Sequence, residues 1–251
     1  MATFNGAAYL LPQLHSILAQ LAPNDELVVV DDASSDDTLR LLQGLGDPRL
    51  RLLQNARNQG PTAAFERAVC AASGRYIFLS DQDDTWHPQK IERILAVFDQ
   101  KNADLVVHDA EIRTQDGQVI PSVFALRRFV VRPRGRWSGL WVNVLNSSFT
   151  GCCMAFRRAL LDDALPFPGR GLGRVWHDQW IGLAALLGGR AIVYLPEPLV
   201  TMRRHAHNLT AIRPRYHKPL AMLGERLSLL AHLLLRPLRP RPTAGGHRPP
   251  R

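Results

Sequence analysis

The stretch Ser80-Asp81-Gln82-Asp83-Asp84 follows the apolar run Tyr76-Ile77-Phe78-Leu79. Gly74 precedes the run, and its aromatic and branched residues predict a buried strand. Carboxylates at the carboxyl end of such a strand face a crevice, not the core. Asp81 and Asp83 are two apart, so in extended chain their side chains share a face. Their like charges repel unless a cation sits between them. A hard divalent cation with oxygen ligands meets that need, and it keeps positions open for substrate phosphates. A surface acidic turn that caps the next helix is the other reading, and the motif alone does not separate the two.

Other polar residues stand at predicted element ends. Asp31 and Asp32 close a strand over Glu26 to Val30. Asp36 and Asp37 fit the first turn of the helix that follows, capped by Ser34 or Ser35 and running to about Gln43. Asn58 and Gly60 mark a tight loop before a helix from Pro61 to about Ala72. Asp178 falls in the first turn of a helix from His177 to Leu187, which ends at Gly188-Gly189.

The remaining elements follow from periodicity. Tyr9, Leu10, Leu14, Ile17, Leu18 and Leu21 predict a helix over 6–21, with Asn5 as its N-cap. Short strands are predicted at Arg49–Leu53 and Asp104–Val107, with a helix from about Pro88 to Asp99. This alternation predicts an α/β fold with parallel strands. Beyond it come a hairpin turning at Asp116-Gly117, a basic loop over 121–137, and a strand from Thr150 to Phe156. Two last strands are predicted at Ala191–Leu195 and Leu199–Arg203. The chain opens where a first hydrophobic strand should be ending, so that strand is expected to be truncated.

Composition narrows the function. The net charge of +9 is carried by two clusters. One is Arg127, Arg128, Arg132, Arg134 and Arg136; the other is Arg236, Arg239, Arg241, Arg248 and Arg251. Without them the chain is about neutral, and few aromatics accompany them. That argues against a nucleic-acid-binding module and for local anionic partners. Cys70, Cys152 and Cys153 make an odd count with two adjacent, unlike a disulfide framework. A reducing cytoplasm is expected. No spanning run or leader pattern is visible.

The pieces together resemble the family 2 glycosyltransferases of the GT-A fold, most closely the rhamnosyltransferase-like members. The residues that carry the resemblance are Thr3-Phe4-Asn5-Gly6, Val30 to Thr38, Asn58-Gln59-Gly60 and Leu79 to Trp86. Thr150-Gly151-Cys152-Cys153, His177-Asp178-Gln179-Trp180 and Arg203-Arg204-His205-Ala206-His207-Asn208 follow in family order. The resemblance implies a nucleotide-diphospho-sugar transferase: a mixed, mostly parallel sheet flanked by helices, over residues 1–210. It also implies inverting transfer of a sugar to an acceptor hydroxyl, with Mg²⁺ or Mn²⁺ as cofactor.

The implied roles can be stated residue by residue. Thr3, Asn5, Asp31, Asp32, Asn58 and Gly60 would meet the nucleotide. Asp83 would hold the metal, and Asp81 would contact metal or ribose. Trp86 could be a sugar platform or a core residue; Asp84 is read as a helix cap. Asp178 would be the general base, with His177 positioning it. Arg203 would bind diphosphate. His205 would complete the metal ligands, with His207 as the alternative.

Residues 211–236 read as an amphipathic helical extension and 237–251 as a basic, Pro/Arg-rich disordered tail. The helix could pack on the catalytic domain, on a second copy, or on an anionic bilayer surface. The expected partners are a nucleotide-sugar donor and a saccharide or lipid-linked acceptor, in cell-surface polysaccharide synthesis. The expected location is the cytoplasm, with peripheral contact at the inner face of the membrane. A truncated, non-catalytic nucleotide-sugar-binding remnant is the alternative.

Overall fold

The computed structural model describes residues 1–127, 139, 143, 149–168, 175–205 and 219–235. The arginine loop from Arg128 to Arg136, His207, Asn208 and the tail 237–251 lie outside the described residues.

The amino-terminal part is a three-stranded parallel sheet ordered β1 (Ala2–Thr3), β2 (Leu27–Asp31), β3 (Leu50–Gln54). Every residue of β2 is buried, as a strand covered on both faces requires. The first strand is short but present, with Ala2 opposite Val30 and Thr3 opposite Asp31. Helix α1 (Ala7–Leu18) buries Leu10, Leu14, Ile17 and Leu18, one stripe at helical spacing. Gly6 is its N-cap; Asn5, the expected cap, instead takes a left-handed backbone, φ 49°. Helix α2 (Thr38–Gly44) starts later than Ser34 or Ser35 would allow. Those two serines are engaged by Asp31 and Asn5, and Asp36 accepts the Thr38 amide at 3.0 Å. Helix α3 is Pro61–Ala71, with proline at its start as expected.

The second sheet is mixed and has six strands. Its order is β4 (Tyr76–Phe78), β8 (Met154–Arg157), β6 (Leu105–Arg113), β9 (Ile192–Arg203), β5 (Thr85–Trp86), with β7 (Val119–Ile120) beside β6. Only the β6–β9 pair is parallel here. Two predicted elements come out differently. Residues 192–203 form a single strand, because bulges against β6 absorb Pro196 and Pro198, which lack a backbone donor. Thr150 to Phe156 is not all strand: Gly151–Cys153 makes a 3-10 turn before β8. Helices α4 (Lys90–Lys101), α5 (Val123–Arg127) and α6 (Leu161–Ala164) flank this sheet.

Helix α7 (His177–Gly188) crosses under the second sheet, and Gly189 ends it with φ 64°. Trp180, Ile181, Leu183 and Ala184 of α7 meet Leu105, Val107, Met154 and Phe156 in the largest core cluster. Helix α8 (Pro219–Leu235) places Leu229 in that same cluster, with Leu230 and Leu233 against it. Burying one leucine contributes about 2 kcal/mol, so this face of α8 is held on the core beneath the second sheet. Among the described residues, no helix is long and apolar enough to cross a membrane.

Candidate active site

The acidic turn leaves β4 at its carboxyl end and is braced from three sides. Gln13 of α1 is fully buried and donates to Ser80 Oγ at 2.6 Å and to the Asp81 carbonyl at 3.1 Å. Gln82 accepts from the Phe4 amide at 2.8 Å and donates to the Phe4 carbonyl at 3.1 Å. Ser16 Oγ accepts the Trp86 amide at 3.0 Å. Gly6 leaves the room the Gln82 amide takes up: a methyl there would lie 2.3 Å from Gln82 Oε1, so the glutamine would have to shift. Neither glutamine was singled out by the sequence, because periodicity shows which face a residue takes and not what crosses to meet it.

Four carboxylates converge at this turn. Burial and the charges of Asp84, Asp83 and Asp178 push the Asp81 carboxyl well above its ordinary range. Burial and Asp83 raise Asp84 to about 7. Asp84 also accepts the Arg203 amide at 3.2 Å. His205, at the end of β9, brings Nε2 to 2.9 Å from Asp83 Oδ2. The His205 ring stacks on Tyr9, centroids 4.2 Å apart, and the Arg203 guanidinium lies 5.4 Å from the same ring. Tyr9 reads in the sequence only as one more apolar position of α1.

Crowded carboxylates with raised proton affinity would be relieved by a nearby cation. Carboxylate oxygens and one imidazole also suit Mg²⁺ or Mn²⁺. The carboxylates of the turn therefore fit such an ion, with the Asp83–His205 pair beside them. One potential ligand atom from each of Asp81, Asp84 and Cys152 falls within 4.8 Å of the others. Cys152 is a poor member of that group. Its contact with Cys153 and its burial push the thiol well above its usual range, so it stays a neutral, soft donor.

Asp178 lies in the first turn of α7, half-buried. Its Oδ2 accepts the Gly151 amide at 3.0 Å and its Oδ1 the Gln179 amide at 2.7 Å. His177 precedes it on the same turn. It is buried, stacked on Phe65 at 3.8 Å, and both ring nitrogens lack a hydrogen-bond partner. Burial lowers it to about 4, so it packs as a neutral ring beneath Asp178.

The residues expected around a nucleotide line the carboxyl ends of β1 and β2. Thr3 Oγ1 donates to Asp31, which also accepts the Ser34 amide and hydroxyl. Asp32 accepts from Asn55 Nδ2 and from the amides of Gln59 and Gly60, at 2.6 to 3.1 Å. Asp32 thus shapes the loop carrying Asn58, Asp31 holds Thr3 and Ser34, and Asn58 itself is exposed. Gly60 needs its freedom, with φ 89°. Asn5 is exposed and accepts the Ser35 amide at 2.8 Å. Trp86 is a correction. It is 7% exposed, in the core beside Phe78, because the β5–β9 pairing turns the indole inward, away from any sugar platform.

Residues 1–165 match the model of the family described as Glycosyl transferase family 2. Succinoglycan biosynthesis protein ExoO of Rhizobium meliloti (strain 1021) is 36% identical over 47% of this chain and 34% of its own length. WfgD of Escherichia coli is named a UDP-Glc:alpha-D-GlcNAc-diphosphoundecaprenol beta-1,3-glucosyltransferase. It is 33% identical over 45% of this chain and 44% of its own length. The chain thus spans less than half of either relative. Among solved structures, S. aureus TarS 1-349 in complex with UDP-GlcNAc superposes with a TM-score of 0.65 at 22% identity, over 82% of this chain and 58% of that one. That likeness shows a GT-A-type fold.

Proposed function

The chain belongs to glycosyl transferase family 2, and from that premise we propose that it transfers a sugar from a nucleoside-diphosphate donor to an acceptor hydroxyl, with inversion at the anomeric carbon. The observation that carries the reading is the convergence of the Asp81–Asp84 turn, His205 and Asp178 at one end of the sheets.

In this reading Asp178 is the base. Its carboxylate is held by the Gly151 and Gln179 amides, so it is oriented before the acceptor arrives. It takes the proton of the acceptor hydroxyl as that oxygen bonds to the anomeric carbon. The bond from that carbon to the diphosphate breaks with its electron pair leaving on the nucleotide. Asp81, Asp83 and His205 would hold Mg²⁺ or Mn²⁺, whose contribution when bound is neutralisation of the departing diphosphate. Arg203 is the nearby guanidinium that can bind phosphate oxygens. Thr3, Asn5, Asn58 and Gly60 border the nucleoside.

Uridine donors and lipid-linked saccharide acceptors are the first substrates to test, because WfgD is named for UDP-glucose and a diphosphoundecaprenol acceptor. Rhamnose stays in the donor panel on the strength of the sequence motifs. The reading assigns the reaction to polysaccharide assembly, in the cytoplasm at the inner face of the membrane. A direct test is transfer from UDP-glucose, UDP-GlcNAc and dTDP-rhamnose to undecaprenyl-diphosphate-linked sugars, with Mn²⁺ and with chelator. Cation-dependent transfer that disappears in Asp178→Asn supports it. Nucleotide sugar bound remote from residues 81–83 in a soaked crystal would overturn it.

A further inference from the structure

Arg67 stands on α3 and is exposed to solvent. Its Nη1 donates to the Gln54 carbonyl at 2.7 Å and to Asn55 Oδ1. Asn55 is buried, and its Nδ2 donates to Asp32 Oδ1 at 2.6 Å. Asp32, equally buried, accepts the amides of Gln59 and Gly60. One line of hydrogen bonds thus runs from a surface cation, through a buried amide and a buried carboxylate, to the backbone of loop 58–60. Arg67 sets the direction of that line. A guanidinium can only donate, so Asn55 turns its oxygen to Arg67 and its amide group to the carboxylate. Turned over, the same side chain would set oxygen against oxygen at Asp32 and lose both bonds. Opposite charges at the two ends polarise the amide between them and strengthen each link.

We infer that Arg67 is a positioning residue for nucleoside binding: through Asn55 and Asp32 it holds loop 58–60 in the shape that receives the nucleoside. The inference rests on the reading of Asn58 and Gly60 as the nucleoside's border. Gly60 takes φ 89°, and its amide is fixed there by Asp32 Oδ2 at 2.8 Å. Without Arg67 the Asn55 amide is free to turn, and Asp32 keeps only the loop amides themselves. The loop then has to be ordered by the incoming nucleotide, which lowers affinity.

The test is nucleotide binding by calorimetry in the presence of Mn²⁺, with UDP, dTDP and GDP as probes. The proteins are the wild-type chain, Arg67→Met, Arg67→Lys, Asn55→Ala, and Arg67→Met combined with Asn55→Ala. Arg67→Met keeps the stem and removes the donors, so its Kd for the nucleotide that wild type binds best should weaken by about tenfold. Arg67→Lys, which also only donates, should recover most of the affinity. The combined variant should bind no more weakly than Asn55→Ala alone, because both changes cut one line. Wild-type affinity in Arg67→Met, no recovery in Arg67→Lys, or additive losses in the combined variant overturns the inference and leaves the nucleoside site standing. A wild type that binds none of the probes overturns both. If Asn55→Ala does not fold, Arg67→Met and Arg67→Lys decide, because Arg67 is a surface position.

Discussion

Asp178 and Gly151 are joined by a hydrogen bond of 3.0 Å from the glycine amide to the carboxylate. The bond ties the first turn of α7 to the turn that enters β8, so the proposed base is fixed by backbone from another element. Asp178→Asn keeps an acceptor for that amide and loses the ability to take a proton. We expect a melting temperature close to wild type, unchanged donor binding, and transfer reduced by about 100-fold or more. Transfer assays beside donor titrations check this; near-normal turnover would remove Asp178 as the base.

Asp83 Oδ2 and His205 Nε2 lie 2.9 Å apart. In Asp83→Ala, Mn²⁺ should no longer raise the melting temperature, and Mn²⁺-dependent binding of a UDP-sugar should disappear. For wild type, a Mn²⁺ concentration of 100 times Kd corresponds to about 2.7 kcal/mol of added stability. Thermal scans across a Mn²⁺ series measure both. A variant that still gains the full shift would place the ion elsewhere.

The contact of Gly6 with Gln82 gives a prediction of a different kind. A Cβ at residue 6 would sit 2.3 Å from Gln82 Oε1, so Gly6→Ala must push the glutamine off Phe4. The expected cost is about 1 kcal/mol in denaturant unfolding, from the two exposed hydrogen bonds to Phe4 that the glutamine gives up. Gln82→Ala added to Gly6→Ala should cost less than the sum of the two single changes, because the clash is gone. Simple additivity would mean the two residues do not share an energy.

Stability in acid should report on His177. Its ring is lowered to about 4 from an ordinary value of 6.5 by burial. Between those pH values the unfolded chain binds a proton that the folded chain refuses. Stability from this group is therefore complete above pH 6.5 and falls as the pH drops toward 4, by about 3 kcal/mol in all. His177→Phe keeps a ring on Phe65 and should flatten that part of the profile. Urea midpoints at pH 7 and pH 4.5 for both proteins test it; equal slopes would mean His177 already takes a proton when folded.

The sequence was informative where function depends on chain order. The acidic tip of β4, the glycine turn before α3 and the Asp178 helix start are all marked by local residue types. Asp83 and His205 belong to motifs 122 residues apart, and the fold brings them together. Partnerships across elements were not legible. The burial of Lys90 depends on Cys152 and Trp86, partners that its own stretch of chain does not reveal. Trp86 follows the motif and reads equally as platform or core, and pairing with β9 decides its direction. Gln13, Gln82 and Tyr9 are ordinary helix or loop residues until the partner element is known. The single long β9 escaped because prolines suggest a break, and only the partner strand reveals a bulge.

Tyr9 is clasped between a guanidinium and an imidazole that arrive from the last strand of the sheet. The aromatic belongs to the opening turn of the first helix. Helix α1 and the end of β9 therefore share one ring, latched like a belt at that buckle. Trimming the chain back past Arg203 would loosen helix α1 as well as strip Asp83 of its imidazole neighbour. Any shortened version of this chain has to keep both halves of the fastening.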